Sequence, residues 1–265
     1  MNMKELIKSR RSVRTMDGSP LKAEDREKLC AYLETIRNPY DIPVRFVLLD
    51  AKEHGLSSPV IKGETLYITA KTPKVPHGEE AFGFSFEKMV LYAWSLGIGT
   101  TWIAGSMKRS LFERASGVTE QERMYCISPL GYPAAKMSMR ETVMRTAVRA
   151  NTRKPWSDLF FDGDFSTPLV VEEERIADAL EAVRLAPSAV NLQPWRVVRQ
   201  GDDFHFYVKH SKGYAEKEIG DMQKVDLGIA ICHFMSMVDG KLRVEDPGGA
   251  HPEEIEYIAT VTVEG

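Results

Sequence analysis

The stretch SRRSVR, residues 9–14, puts three arginines and two serines within six positions. Guanidinium and hydroxyl groups so closely spaced suit a phosphate, which arginine can hold bidentately. Two readings fit: a basic tail for a nucleic-acid backbone, or a grip on one particular phosphate. A second polar segment, APSAVNLQPW (186–195), has Pro187 and Pro194 stiffening its ends, with Ser188, Asn191 and Gln193 between them. These uncharged groups suit a ring bearing both donors and acceptors; a plain helix-to-strand connection with an Asx-type turn is the alternative. GIGTTWIAGS (97–106) places Gly97 and Gly99 where a helix would end. Its Gly105 lacks a Cβ and so lets a flat ligand approach an amide N–H. A fourth segment, MRETVMRTAVRANTRKPW, carries Arg140, Arg145, Arg149, Arg153 and Lys154. Helical spacing predicts Arg145, Arg149 and Arg153 on one face, as a solvated surface or a nucleic-acid contact. The cations next to Pro155 are available to anchor a phosphate.

Other chemistries lack their residues. The histidines (His54, His77, His205, His210, His233, His251) show no HExxH spacing, and Cys232 beside His233 reads as a core pair. His205 and His210, an odd number apart on a predicted strand, face opposite sides, which argues against a shared metal. Cys30, Cys126 and Cys232 form no CxxC unit, so three free, mostly buried thiols in a reducing cytosol are expected, and no metal. Neither a G-x-S-x-G elbow, a P-loop nor a GxGxxG turn is present.

These segments must be positioned by a fold of ordinary composition. The 265 residues are 43% hydrophobic and 28% charged, and 35 basic against 38 acidic residues give a net charge of −3. That balance opposes the nucleic-acid reading and supports a globular protein. The N-terminus MNMKELIKSR lacks the apolar core of a signal peptide. No stretch approaches the ~18 apolar residues of a membrane span, so a soluble cytoplasmic protein is expected. MKELIKSRRS reads as a short helix, and GSPLKAEDREKLCAYLETI as a longer one capped by Ser19 with Leu29, Leu33 and Ile36 on one face. VRFVLLD, TLYITAK and MYCISPLGYP read as strands, and FSFEKMVLYAWSLGIG as a central helix with little polar surface.

The second half repeats this order. STPLVVEEERIADALEAVRLA matches the capped helix, PWRVVRQ and FHFYVKH the strands, and VDLGIAICHFMSMVDG the central helix, before a terminal strand YIATVTVEG. Four elements in one order predict an internal duplication, with repeats at 1–150 and 151–265 packed as one unit about a pseudo-twofold axis. Generic alternation of helices and strands is the alternative.

RRSVR, APSAVNLQPW, LGIGTTWIAG, LGYP and the later RKP together resemble the FMN-dependent nitroreductase family over most of the chain. PSAVNLQPW is the most specific piece. Members usually carry this loop a few tens of residues after RRSxR. Here TIRNPYDIPVRF stands there, the loop falls in the second repeat, and RKPWSDLFFDG replaces RRSxR at that repeat's start. The chain therefore resembles a two-repeat branch in which one polypeptide mimics the usual homodimer, with one complete FMN site and one degenerate site. The fold implied is α+β and nitroreductase-like, with mixed and antiparallel sheets around central helices.

The resemblance implies roles residue by residue. Arg10, Ser12 and Arg14 would meet the ribityl phosphate and the polar edge of the flavin, and Arg11 matches the motif too. Pro187, Ser188 and Asn191 would line the ring, while Ile103, Ala104 and Gly105 run beside it with the Gly105 N–H near N5. Arg153 and Lys154 would complete the phosphate site. Many members carry an acidic residue where Ala104 stands. The implied activity passes hydride from NADH or NADPH through flavin N5 to nitroaromatic, quinone or related acceptors, with no side chain as general acid or base. The competing implication is an FMN-binding protein with a sensory or storage role and no efficient turnover. A small-molecule electron acceptor is the implied partner, without nucleic acid or membrane, and internal pairing makes a monomer permissible.

Overall fold

The computed structural model describes residues 2–216, 219–248 and 252–264; His251 lies outside them. In the first half, α1 (Met3–Ser9) and α2 (Ala23–Thr35) precede β1 (Arg45–Asp50) and β2 (Leu66–Pro73). Next come α3 (Gly78–Ser95), α4 (Arg109–Ser116), β3 (Glu122–Arg123), β4 (Ile127–Leu130) and α5 (Met139–Ala147). The second half begins with β5 (Phe160–Asp162), α6 (Glu174–Leu185), β6 (Trp195–Gln200), β7 (Asp203–Lys209), β8 (Ala215–Glu216) and β9 (Gly220–Asp221). It ends with α7 (Met222–Met235), β10 (Gly240–Arg243) and β11 (Ile255–Val263).

Two sheets flank the central helices. In the first, β2 pairs antiparallel with β1, β3 and β4. The second has the order β10-β11-β7-β6-β5, antiparallel except for the parallel β5–β6 pair. The result is the expected α+β arrangement of helices with mixed and antiparallel sheets.

Between the sheets, α3 and α7 are buried almost all round, as helices without a polar face must be. Their close approach depends on two glycines. A Cβ at Gly83 would lie 2.1 Å from the carbonyl oxygen of Val225, and one at Gly228 would lie 2.1 Å from that of Glu80. Each glycine rests on the residue three before the other, so the crossing is reciprocal. One cluster of buried residues spans both halves, from Leu29 and Phe82 to Ile229 and Val261. A polar contact is sealed inside it: His233 Nε2 meets Glu87 Oε1 at 2.9 Å, and the other ring nitrogen of His233 lies 2.9 Å from the Ala182 carbonyl.

Local elements depart from the sequence expectation in three places. Ser19 does not cap α2; its N–H and hydroxyl donate to Asp17 Oδ1 at 2.8 and 2.7 Å, and the helix starts at Ala23. The strand predicted over MYCISPL is shorter, since Met124 to Cys126 connect β3 to β4. Finally, α5 ends at Ala147 and Arg149 takes a left-handed φ of 48°, so Arg145, Arg149 and Arg153 do not share a helical face. All three cysteines are free, Cys126 and Cys232 being buried. Among the described residues no helix is long and apolar enough to cross a membrane.

Gly228→Ala and Gly83→Ala should each lower the unfolding free energy by about 3 kcal/mol, because backbone rather than a movable side chain blocks the added methyl. Gly105→Ala, whose Cβ would meet nothing within 4 Å, should change it by less than about 0.5 kcal/mol. Urea denaturation of the three variants checks this; equal midpoints for all three would dismiss the crossing as the limiting contact.

Candidate functional site

The segment after α1 runs extended and is pinned to the residues that follow α3. The Val13 N–H donates to the Thr100 carbonyl at 2.8 Å, and Ser12 forms a bridge with Thr100. Val13 is buried against Gly99, where an added Cβ would come 2.8 Å from the valine Cβ. Alternation along an extended chain then turns Arg10, Ser12 and Arg14 the other way. They face a cavity of about 760 Å³, which Arg11 also lines.

The remaining walls come from distant parts of the chain. Ile103, Ala104 and Gly105 supply one side, and Pro187, Ser188 and Asn191 supply another with Arg153. Eleven of the twelve sequence-predicted residues therefore converge. Lys154 does not: it lines a separate depression of about 560 Å³ with Arg196 and Lys209. Its backbone N–H is held by Gln193 Oε1 at 2.8 Å, which fixes the chain beyond Arg153. Burial, with Arg196 adjacent, pushes the Lys154 ammonium pKa down.

The cavity is electropositive and poorly compensated. Arg10 is almost wholly buried; its nearest carboxylate is Glu87, 3.9 Å from Nε, and that Nε has no hydrogen-bond partner. Burial lowers its pKa, opposed by Glu87 and reinforced by Arg145. Arg14 is lowered by burial too, with Glu141 opposing and Arg145 adding repulsion. For Arg153, burial and then the charges of Arg10 and Arg184 act in the same direction. Arginine stays protonated under such shifts, so these are cations crowded together in low dielectric. An anion entering the cavity would relieve both the desolvation and the mutual repulsion.

Arg153 and the 186–195 loop hold one another. The guanidinium of Arg153 donates to the carbonyls of Ala150 (3.0 Å), Thr152 (2.8 Å) and Leu185 (3.2 Å), while its Nε remains unpaired. The Asn191 amide donates to the carbonyls of Arg149 and Thr152 at 2.8 and 3.0 Å. Ser188 Oγ accepts from the Gln193 N–H at 2.9 Å. Three non-glycine residues here are left-handed: Val190 (φ 41°), Asn191 (φ 61°) and Gln193 (φ 51°). Each such residue costs about 1–3 kcal/mol, and the exposed β-branched Val190 is the least suited to it. The simple turn considered from sequence is instead a strained loop cross-tied to residues 149–153.

Four further groups escaped the sequence reading. Arg145, treated there as a helical surface residue, lines the cavity together with Met144 of α5 and Val148, which caps that helix. Trp102 lines it as well, with its indole N–H donating to Glu87 Oε2 at 3.0 Å. Glu87 thereby joins Trp102, His233 and the neighbourhood of Arg10. Asp226, on α7, is fully buried, and its two oxygens share the Ala189 N–H at 3.1 Å each. Burial raises its carboxyl pKa well above the ordinary value, the Ala189 N–H opposing. A lone carboxylate inside the apolar run VDLGIAI was the available signal for it. No group of three or more His, Cys, Asp and Glu that could hold a metal ion exists among the described residues.

The family described as "Putative TM nitroreductase" matches residues 2–238. A putative nitroreductase of Thermotoga maritima is 21% identical with a TM-score of 0.64, covering 99% of this chain and 94% of its own; it shares the fold. A nitroreductase family protein of Clostridium difficile 630 is 18% identical (60% of this chain, 96% of its own, TM-score 0.47). An FMN-dependent nitroreductase of Clostridium difficile R20291 is also 18% identical (53% and 94%, TM-score 0.43). No curated protein matches.

Asp226 gives the site a pH signature in stability. Its folded-state pKa is raised, so above about pH 4 the native state keeps a proton that the unfolded chain has released, and stability falls as pH rises toward the folded value. Asp226→Asn keeps an acceptor for the Ala189 N–H but cannot ionise. Between pH 5 and pH 8 the wild type should lose stability relative to this variant, by at most about 1.4 kcal/mol per pH unit. Parallel pH–stability curves from urea melts would assign the proton elsewhere.

Proposed function

Since the chain belongs to the family described as putative TM nitroreductase, matched over residues 2–238, we propose that it is an FMN-dependent oxidoreductase. In this reading it passes reducing equivalents from NADH or NADPH to nitroaromatic, quinone or related acceptors. The observation that carries the reading is the set of arginines (Arg10, Arg14 and Arg153) in one cavity, two of them with an unpaired buried Nε. A phosphate monoester is the ligand such a set suits, and the apolar walls at Trp102, Ile103 and Ile229 suit a flat ring. When bound, the flavin supplies the redox chemistry by accepting and donating hydride at its N5.

The protein's own residues do the rest. We assign Arg10, Ser12 and Arg153 to the phosphate, Arg14 to the polar edge of the ring, and Pro187, Ser188 and Asn191 with Ile103, Ala104 and the Gly105 backbone to the ring. Asn191 acts chiefly by holding residues 149–153, so that Arg153 is fixed before any ligand arrives. Arg11 is set back by its pairing with Glu141 at 3.6 Å. Glu87 orients Trp102 on the cavity wall. Both halves of the chain wall the cavity. The reciprocal Gly83–Gly228 crossing supports reading residues 1–150 and 151–265 as tandem repeats that pair like two subunits.

Purified protein should be yellow, with one FMN per chain. Arg10→Ala and Asn191→Ala, one from each half, should both weaken FMN at that one site by about 10- to 100-fold, measured by flavin fluorescence. A colourless protein that takes up no FMN, or a loss with only one variant, would overturn the shared site. Anaerobic mixing with NADH and NADPH separates enzyme from passive binder: rapid bleaching of the flavin band supports the oxidoreductase, and its absence supports the binder.

A further inference from the structure

The charge around the cavity exceeds what the proposed cofactor can neutralise. Lys8, Arg10, Arg11, Arg14, Arg145 and Arg153 all line it. Arg10 and Arg11 each face a buried carboxylate, Glu87 and Glu141, at 3.9 and 3.6 Å. Lys8 is exposed, and water compensates it. A phosphate monoester brings at most two negative charges, which offset Arg153 and Arg14, the cations nearest the assigned phosphate and ring edge that lack a carboxylate of their own.

Arg145 is left over. It is half-buried, and among the described residues its guanidinium makes one hydrogen bond (to Asn151 Oδ1, 2.7 Å) and no ion pair. It sits close enough to Arg10 and Arg14 to lower the pKa of both. Its cavity-lining neighbours are Met144, on α5, and Val148, the residue capping the C-terminus of α5, whose N–H donates to the Met144 carbonyl at 3.0 Å. α5 is also held independently of any ligand. Ser138 caps it by accepting the Glu141 N–H at 3.2 Å, Thr15 bonds Ser138 at 3.0 Å, and Glu141 faces Arg11. The last turn of the helix and its capping residue thus present two apolar side chains and one spare guanidinium to the cavity.

We propose that α5 selects the second ligand of this cavity, with Arg145 holding a carboxylate or phosphate oxyanion on a planar redox partner whose apolar body rests on Met144 and Val148. The inference deepens the flavin reading above and rests on it. A neutral partner would leave the charge of Arg145 desolvated without a counter-ion, whereas an anionic one converts that penalty into a charge-assisted hydrogen bond. The oxyanion has two possible sources, the acceptor or the phosphates of the dinucleotide, and the experiment treats them separately.

FMN affinity of the apoprotein is measured first for wild type, Arg145→Ala and Arg145→Lys; all three should agree within about threefold. The oxidised holoprotein is then titrated with 4-nitrobenzoate and with nitrobenzene, following the visible flavin band. Wild type should bind the carboxylate at least tenfold more tightly, Arg145→Ala should bind the two equally, and Arg145→Lys should retain part of the preference. In the second arm, reduction by NADH is compared with reduction by neutral 1-benzyl-1,4-dihydronicotinamide, and a preference for NADH that Arg145→Ala abolishes identifies the dinucleotide as the source. Discrimination in either arm that vanishes with Arg145→Ala supports the proposal. Equal binding of charged and neutral probes by wild type in both arms overturns it while leaving the flavin reading intact. A tenfold loss of FMN affinity in Arg145→Ala also overturns it, by assigning Arg145 to the cofactor's phosphate. Failure of wild-type apoprotein to bind FMN removes the flavin reading itself.

Discussion

The contact on which the rest of the structure depends is the backbone-to-backbone crossing of α3 and α7. Two helices lie this close only where neither carries a side chain, and Gly83 and Gly228 provide that place reciprocally. From the crossing, α3 leads directly into residues 97–106 and α7 presents Asp226 and Ile229, so both helices deliver a wall of one cavity. The buried Glu87–His233 contact lies about one turn further along and ties the two helices by polarity as well as packing. Widening the crossing would displace the cavity walls together.

Around that rigid centre, the site stores unfavourable terms rather than removing them. Cations crowd in low dielectric, and three side-chain-bearing residues of one loop sit in left-handed conformations. Such a combination persists only because surrounding bonds over-determine it. Asn191 ties the loop to residues 149–153, Ser188 ties it to Gln193, and Asp226 anchors its Ala189 N–H. The polar residues of this loop act mainly on the protein's own backbone, and through it they aim Arg153.

What could be read in the sequence follows from how local each signal is. The central helices were legible because full burial demands an apolar run, and β1, β2, β6 and β7 because compact apolar segments bounded by turns leave few alternatives. Arg10, Ser12, Arg14 and Ser188 were legible as candidates for one shared site because their residue types carry chemistry in short, dense segments, and they do line one cavity. Arg145 was not, because its spacing on α5 fits a solvated helix equally well; only the tertiary placement of that helix over the cavity distinguishes the two. Ser19 was lost to Asp17, a local competitor for its hydroxyl. Arg149 was misplaced because a single left-handed residue ends the helix without glycine to announce it. Lys154 shared a segment with Arg153, but the tether from Gln193 sends the chain past the cavity.

The Glu87–His233 contact also says something about pairing within one polypeptide. Glu87 follows Gly83 by four residues and His233 follows Gly228 by five, so the partners of this contact are not equivalent about the crossing. Two identical helices related by a twofold axis must form any off-axis contact twice or not at all. Covalent linkage lifts that restriction: each substitution is made once, on one side, and the two sides can drift apart. It also makes their association independent of protein concentration, as for any pair of binding surfaces joined by a tether. In the tandem-repeat reading proposed above, the Glu87–His233 contact marks broken symmetry, available to a fused pair and closed to a symmetric dimer.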